Sequence, residues 1–191
     1  MRKFLLPLVA VLVAASPAAA QTITVAPKLE INITGFSGEP NTLAKAVANI
    51  EALSGGRVAA IAYDYVAGTP GYDVVVKQGS NVRFARLDRV TNKAVQISEA
   101  SLPSWMLNWR TQRRAAVVED AKVSLADAIR TAEASEKGGA AVAAGIARSA
   151  SNPTANVHAY MVALRNGDHQ RVVAVNTKTG GIIGNPSALT W

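Results

Sequence analysis

The sequence of 191 residues contains no cysteine. Disulfide bonds therefore cannot hold the fold together, and catalysis or metal binding by a thiolate is excluded. Histidine is scarce as well: His158 and His169 lack the i, i+4 spacing of helical metal ligands, and no carboxylate cluster accompanies them. We expect both to be surface or strand-packing residues, and we predict neither a metal nor a cofactor.

The motifs of common enzyme classes are missing too. The sequence has no HExxH motif, no G-x-S-x-G nucleophile elbow, no G-x-G-x-x-G fingerprint and no P-loop. Asp64 and Asp73 could be taken as a catalytic pair of carboxylates, but alternate strand positions facing solvent explain them more simply. We therefore predict that the protein is not an enzyme and has no catalytic residue.

Long apolar runs are confined to the N-terminus. Arg2 and Lys3 precede an apolar stretch at 4–15, which is shorter than the roughly 20 residues that a membrane-spanning helix needs, and alanines at 18–20 form a cleavage site. This order is typical of a secretory signal peptide, with an uncleaved anchor as the alternative. We expect cleavage between Ala20 and Gln21, and a periplasmic or secreted protein that does not span the membrane.

The mature chain is expected to be moderately basic. Residues 1–20 carry two basic residues and no acidic one, so 18 basic and 13 acidic residues remain and the net charge falls from +7 to +5. This charge is compatible with an anionic lipid, an envelope polymer or an acidic protein surface as partner. An exported protein rarely meets nucleic acid, so we predict no nucleic-acid partner.

Two helix-like stretches stand in corresponding places in the two halves of the chain. Residues 41–53 and 124–137 each place apolar residues on one helical face, and a Gly-Gly pair closely follows each stretch. Ser124 is predicted to cap the second helix, with Asp127 completing a capping box. The positions predicted to be buried are Leu43, Val47, Ile50, Leu125 and Ile129.

Three strand-like segments follow each predicted helix, rich in Val, Ile and Tyr and separated by Gly, Asn, Pro and Ser. At an offset of 88 positions, RFARLDRVTNKAVQI at 83–97 corresponds to RVVAVNTKTGGIIGN at 171–185. Both contain a polar turn between apolar runs. We expect Asn176 to bond the backbone two residues ahead, and Asn92 and Gly180 to supply the left-handed position that closes each hairpin.

This repetition predicts an α+β fold of two tandem units, each with one helix packed on a small antiparallel sheet. The predicted division of the chain is a signal peptide at 1–20, a lead segment at 21–38, a first repeat at 39–98, a helical connecting segment at 99–122 and a second repeat at 123–191. The pattern leaves open whether the two repeats share one sheet.

The order of these elements resembles the PepSY domain. The resemblance rests on a helix, a Gly-Gly pair, a strand with alternating Tyr and Val, a Gly turn, a third strand and an Asp/Asn-x-x-Thr turn, and it covers about residues 39–97 and 123–185. It implies a small antiparallel sheet packed on a helix. It also implies a binding role, since the family occurs in propeptides of thermolysin-type metalloproteases and in exported proteins thought to restrain peptidases.

The connecting segment contains the candidate ligand-binding residues. If it is helical from Ser104, two tryptophans lie one turn apart beside three arginines. One interpretation is an aromatic-basic patch for an acidic partner or an anionic membrane surface. The other is a connecting helix whose tryptophans pack into the sheets, which the usual burial of large aromatics favours. The residues concerned are Trp105, Trp109, Arg110, Arg113 and Arg114.

Two functions are compatible with these observations. The first is a non-catalytic exported protein-binding module that restrains or regulates an envelope or secreted peptidase. The second is an envelope-surface module that binds anionic lipid or glycan through the aromatic-basic patch. An exposed sheet edge offers the first function a physical route, because an extended peptide can add to it through backbone hydrogen bonds.

Overall fold

The computed structural model describes residues 22–25, 29–33, 35–66, 68–89, 94–97, 102–103, 117–149, 158–183 and 189–190. The predicted signal peptide lies outside this part of the chain. The helices are α1 (Thr42–Ser54) and α2 (Leu125–Ser135), and the strands are β1 (Thr22–Val25), β2 (Leu29–Asn32), β3 (Arg57–Val66), β4 (Thr69–Gln78), β5 (Asn81–Asp88), β6 (Ala94–Ile97), β7 (Leu102–Pro103), β8 (Ala140–Ser149), β9 (His158–Asn166), β10 (His169–Asn176), β11 (Ile182–Ile183) and β12 (Leu189–Thr190).

Strands from both halves of the chain form one antiparallel sheet of ten strands. Its order is β11-β10-β9-β8-β3-β4-β5-β6, with β7 added beside β5 and β12 beside β8, while β1 and β2 form a separate hairpin. The prediction of two tandem units, each with its own small sheet, is therefore wrong. Pairing the first strand of each half also covers two edges that separate sheets would have left open.

The junction between the halves is built from small residues. Strand β3 pairs with β8 through Ala60 opposite Gly145, Ile61 opposite Ala144 and Ala62 opposite Ala143. Of the two faces at this junction, the one carrying Ala60 and Gly145 therefore has almost no side-chain volume. Each half taken alone reads as a complete helix-and-strands pattern, which is why the shared sheet could not be seen in the sequence.

Both helices lie on the same face of this sheet. They contact each other, and α1 also contacts β3, β4 and β8 while α2 contacts β8, β9 and β10. The five helix positions predicted to be buried are confirmed, each being at most 5% exposed. They pack in one core cluster with Tyr63, Tyr72 and Tyr160 of the sheet, so the two halves share a single core. Neither helix is long and apolar enough to cross a membrane.

The helix ends follow the predictions only in part. The Ser124 hydroxyl oxygen accepts the backbone N–H of Asp127 at 3.0 Å, which confirms the predicted cap of α2. The Asp127 carboxylate does not reach back to the backbone but accepts the Ser124 hydroxyl at 2.7 Å. Helix α1 ends as predicted at Gly55, whose left-handed φ of 64° suits glycine. Asn41 precedes α1 without a side-chain cap hydrogen bond.

Two glutamates occupy equivalent places in the last turns of the helices. The Glu51 carboxylate accepts the backbone N–H of Val58 at 2.9 Å, and the Glu133 carboxylate accepts that of Ala141 at 2.9 Å. Each of these strand residues directly precedes an irregularity of register, between Val58 and Ala60 in β3 and between Ala141 and Ala143 in β8. The carboxylates therefore supply an acceptor where the strand ladder is interrupted.

The turn between β10 and β11 confirms its prediction. The side-chain oxygen of Asn176 accepts the backbone N–H groups of Lys178 at 2.8 Å and Thr179 at 3.1 Å. Gly180 has a φ of 74°, the left-handed conformation expected at this position. The corresponding Asn92 of the first half lies outside the described residues.

Candidate functional site

The residues predicted to bind a ligand lie in a part of the chain that the structure does not describe. Trp105, Trp109, Arg110, Arg113 and Arg114 all fall within 104–116, between β7 and a helical turn at 117–120. The aromatic-basic patch therefore stays a prediction.

The two histidines do not come together. His158 begins β9, and His169 begins β10 opposite Asn166 at the far end of the same strand. The separation along β9 is about 26 Å, from eight residues at about 3.3 Å each. Within the described ranges, no group of three or more His, Asp or Glu side chains could hold a metal ion.

Asp64 and Asp73 do approach each other, but an arginine lies between them. The Arg86 guanidinium is 2.6 Å from the Asp73 carboxylate and 3.9 Å from that of Asp64. Arg86 also donates to the backbone carbonyls of Asp64 at 3.3 Å and Thr69 at 3.1 Å. This arrangement links strands β3, β4 and β5 on the face opposite the helices, and it explains both aspartates structurally.

A second arginine fixes the segment that precedes α1. The Arg89 guanidinium lies 5.9 Å from the ring centres of both Phe36 and Tyr63, and it donates to the Ser37 hydroxyl at 2.9 Å. Phe36 meets Tyr63 edge to face at 5.1 Å. Burial raises the pKa of Tyr63, and the nearby Arg89 partly opposes this rise. These contacts join the lead segment to the sheet by cation–π and aromatic packing.

The outer edge of β10 has a capacity for binding. Asn176 donates its backbone N–H to Gly181 at 2.8 Å, away from β9. Backbone groups alternate along a strand, so Gln170 and Val172 also direct their N–H and C=O groups outward. Strand β11 pairs with Ala174 and Val175, and no described residue pairs with the outward groups of Gln170 and Val172. We call residues 169–172 the β10 edge.

The equivalent edge in the first half already carries an added strand. At the offset of 88, His169 and Gln170 correspond to Asn81 and Val82 of β5. Strand β7 pairs antiparallel with those residues, Asn81 opposite Pro103 and Val82 opposite Leu102. In the first half, therefore, a segment of the chain itself covers this edge. In the second half, no described residue covers the equivalent β10 edge.

Three of the four side chains along the β10 edge are exposed, and one of these three is cationic. His169, Gln170 and Arg171 are exposed, and Arg171 is 68% exposed at its side chain while forming an ion pair with Glu136. Val172 is half-buried and packs against the alanine-rich cluster on the face opposite the helices. The edge therefore combines backbone groups with which no described residue pairs, one half-buried apolar side chain and one cationic side chain.

Residue patterns alone did not identify this site. The strand itself was predicted from QRVVAVN at 170–176, but whether a strand is at an edge depends on the order of strands in the sheet. The repeat does not locate the site either: at the offset of 88, Leu102 corresponds to Thr190, and Thr190 pairs with β8 and not with β10.

Comparisons with known proteins add little. No protein-family model and no curated protein matches the chain. Among solved structures, the fold is similar to a candidate lipoprotein from Clostridium difficile 630, with a TM-score of 0.43, 12% sequence identity and coverage of 80% of this chain and 95% of that chain. A similarity of this size assigns no function to the protein.

Proposed function

We propose that the protein is a non-catalytic, exported binding protein that holds an extended segment of a partner protein along the β10 edge. The observation that carries this proposal concerns Gln170 and Val172. Their backbone N–H and C=O groups face outward, and no described residue forms hydrogen bonds with them. Main-chain hydrogen bonds to a sheet edge are a common means of peptide recognition.

Strand β7 supports the proposal from within the molecule. It demonstrates that an antiparallel segment fits beside β5 at the positions equivalent to His169 and Gln170. A guest strand on β10 needs the same space and the same backbone geometry. Residues of β10 are held from the other side by β9 along their whole length, so the edge is already in strand conformation before a guest arrives.

The partner class follows from the sequence. The signal-peptide pattern at 1–20 favours export, and the resemblance to the PepSY family favours an envelope or secreted peptidase as partner. A segment of such a peptidase that pairs with the β10 edge would be held in extended form, which restrains it without any catalytic group.

The experiment that tests the proposal removes one edge donor. Gln170→Pro deletes the outward N–H at an exposed edge position, where proline is tolerated. Gln170→Ala keeps that N–H and is the matched control. The readout is fluorescence anisotropy of a labelled extended peptide, acetyl-Thr-Val-Glu-Thr-Val-amide, titrated with the mature chain. We expect binding to wild type and Gln170→Ala, and at least a fivefold weaker affinity for Gln170→Pro.

A second measurement does not depend on the stability of the variant. Peptides that are N-methylated at alternate residues lose either the N–H groups that face β10 or those that face away. One methylation pattern should abolish binding and the shifted pattern should leave it intact. Equal binding of both peptides, or no binding of any peptide at millimolar protein, contradicts strand addition at this edge.

A further inference from the structure

We infer that the β10 edge selects a guest strand with an acidic residue opposite Arg171 and an apolar residue directly before it. This inference rests on the proposed function and adds the chemistry of the bound segment. It comes from three observations: the orientation of β7, the alternation of backbone groups along β10, and the charges around Arg171.

The orientation of the guest follows from β7, which is antiparallel to β5. An antiparallel guest on β10 has its residues opposite Val172, Arg171 and Gln170 in that order along its own chain. Residues directly opposite in an antiparallel pair project from the same face of the sheet. The guest residue opposite Val172 therefore meets the apolar side chain of Val172, which favours valine, isoleucine or leucine there.

Arg171 lies at the position where side chains of paired strands come closest. Its backbone groups face β9, so a guest residue opposite it forms a non-hydrogen-bonded pair, with Cα atoms about 4.5 Å apart. The Arg171 guanidinium uses Nη1 for Glu136. No other described residue accepts a hydrogen bond from this guanidinium, so its remaining N–H groups can donate to a guest carboxylate.

The charge balance near Arg171 also favours an acidic guest. Arg171 is paired with Glu136, but the arginine side chain is 68% exposed and the glutamate side chain 27%, so the positive charge is the more accessible of the two. Like charges placed directly opposite each other on adjacent strands are unfavourable, so a lysine or arginine in the guest would be rejected.

A second copy of the chain is a poorer guest. Pairing of two β10 edges centred on Arg171 places two arginines opposite each other. Pairing centred on Val172 requires the position opposite Ala174, which β11 occupies. Pairing centred on Gln170 puts Arg171 opposite His169 and Val172 opposite Asp168, so none of these registers places a carboxylate directly opposite Arg171.

The test compares acetyl-Thr-Val-Glu-Thr-Val-amide with the same peptide carrying Gln or Lys in place of Glu. For wild type we expect the Glu peptide to bind about threefold more tightly than the Gln peptide and about tenfold more tightly than the Lys peptide. Arg171→Glu should reverse this order. Glu136→Gln, which removes the competing carboxylate, should strengthen the preference for the Glu peptide.

The outcomes separate this inference from the proposed function. If all three peptides bind wild type equally and binding is still lost in Gln170→Pro, strand addition stands and charge selection by Arg171 is wrong. The same conclusion follows if Arg171→Glu changes the affinities for all three peptides alike, since Arg171 then affects binding without distinguishing the charge of the guest residue. If no peptide binds, both ideas fall. Concentration-dependent sedimentation of the mature chain alone would identify a second copy as the guest and would overturn the selection of an acidic segment.

Discussion

The Glu133 carboxylate accepts the backbone N–H of Asn41 at 2.8 Å, across 92 positions of the sequence. Its second oxygen accepts the backbone N–H of Ala141, so one buried side chain joins the start of α1, the end of α2 and the start of β8. Because Asn41 precedes α1 while Glu133 is in the last turn of α2, the end of α2 lies beside the start of α1.

We expect Glu133→Ala to lower the free energy of unfolding by about 3 kcal/mol, because two backbone N–H groups lose a charged acceptor inside the protein. Glu51→Ala is the matched control: it removes one backbone hydrogen bond at a more exposed site and should cost about 1 kcal/mol. Urea denaturation of both variants measures the difference. Equal midpoints for the two variants would show that Glu133, which joins the two halves, contributes no more stability than Glu51, which bonds only within the first half.

The core position Ile129 offers a second test. Its side chain is fully buried within α2, so Ile129→Asp places an unpaired charge in the shared core and should cost several kcal/mol. Ala134 is exposed in the last turn of the same helix, and Ala134→Asp should cost only about 1 kcal/mol, through lower helix propensity and the helix dipole. Thermal unfolding followed by circular dichroism decides, and an Ile129→Asp variant that melts like Ala134→Asp would contradict the assigned helix face.

How much of this fold the sequence predicts depends on the range of the interactions. Local signals were sufficient for the buried face of α1, the Ser124 cap and the Asn176 turn, since each involves residues within a few positions. The pairing of Ala60 with Gly145 joins residues 85 positions apart. Alanine and glycine have no side-chain feature from which the paired strand could be predicted. That single pairing turns two predicted sheets into one.

The candidate site was less predictable than the fold. Arg171 was noted only as one of the residues repeated at an offset of 88, and its role depends on β10 being near the end of the strand order. Glu51 and Glu133 were not singled out, although they lie 82 positions apart, as do the buried helix residues Leu43 and Leu125. Their importance appears only when the strand irregularities that they support are known.

Tyr160 should make stability depend on alkaline pH. Burial raises its pKa to about 12, with Arg57 nearby acting to lower it, and its hydroxyl donates to the Val123 carbonyl at 3.0 Å. The unfolded value is about 10, so the native state binds the proton more tightly than the unfolded chain does. Protonated Tyr160 therefore contributes roughly 2–3 kcal/mol to the free energy of unfolding below pH 10. This contribution is lost as the pH rises from 10 to about 12.

The comparison of wild type with Tyr160→Phe isolates this effect. The phenylalanine variant loses the hydrogen bond at every pH, at a cost of about 1 kcal/mol, but it has no phenol to ionise. The stability difference between the two proteins should therefore shrink or reverse between pH 10 and 12. Urea midpoints at pH 8, 10 and 11.5 provide the measurement, and a constant difference would mean that Tyr160 titrates normally.

Export can be tested directly at the N-terminus. The charged start, the apolar run at 4–15 and the alanines at 18–20 predict cleavage after Ala20. N-terminal sequencing of the periplasmic or secreted product should read Gln-Thr-Ile-Thr. A chain that still begins at Met1 in the cytoplasm would remove the export part of the proposed function while leaving the β10 edge untouched.

Ionic strength distinguishes strand addition from the alternative function. Binding of anionic lipid or glycan by Arg110, Arg113 and Arg114 depends on exposed charges, which are screened as salt rises from about 0.01 M to 0.15 M. Backbone pairing at the β10 edge does not depend on net charge, so the affinity for the Gln-containing peptide should change by less than about twofold over this range.

The two assays are run side by side on wild type, Gln170→Pro and a triple alanine variant of the three arginines. Strand addition predicts that only Gln170→Pro loses peptide binding, and that vesicles of anionic phospholipid bind weakly or not at all at 0.15 M salt. If instead the chain binds no peptide but holds these vesicles at low salt, and the triple alanine variant releases them, the edge is not the functional site. The aromatic-basic patch then becomes the better account of the protein, because its arginines would be the residues on which binding depends.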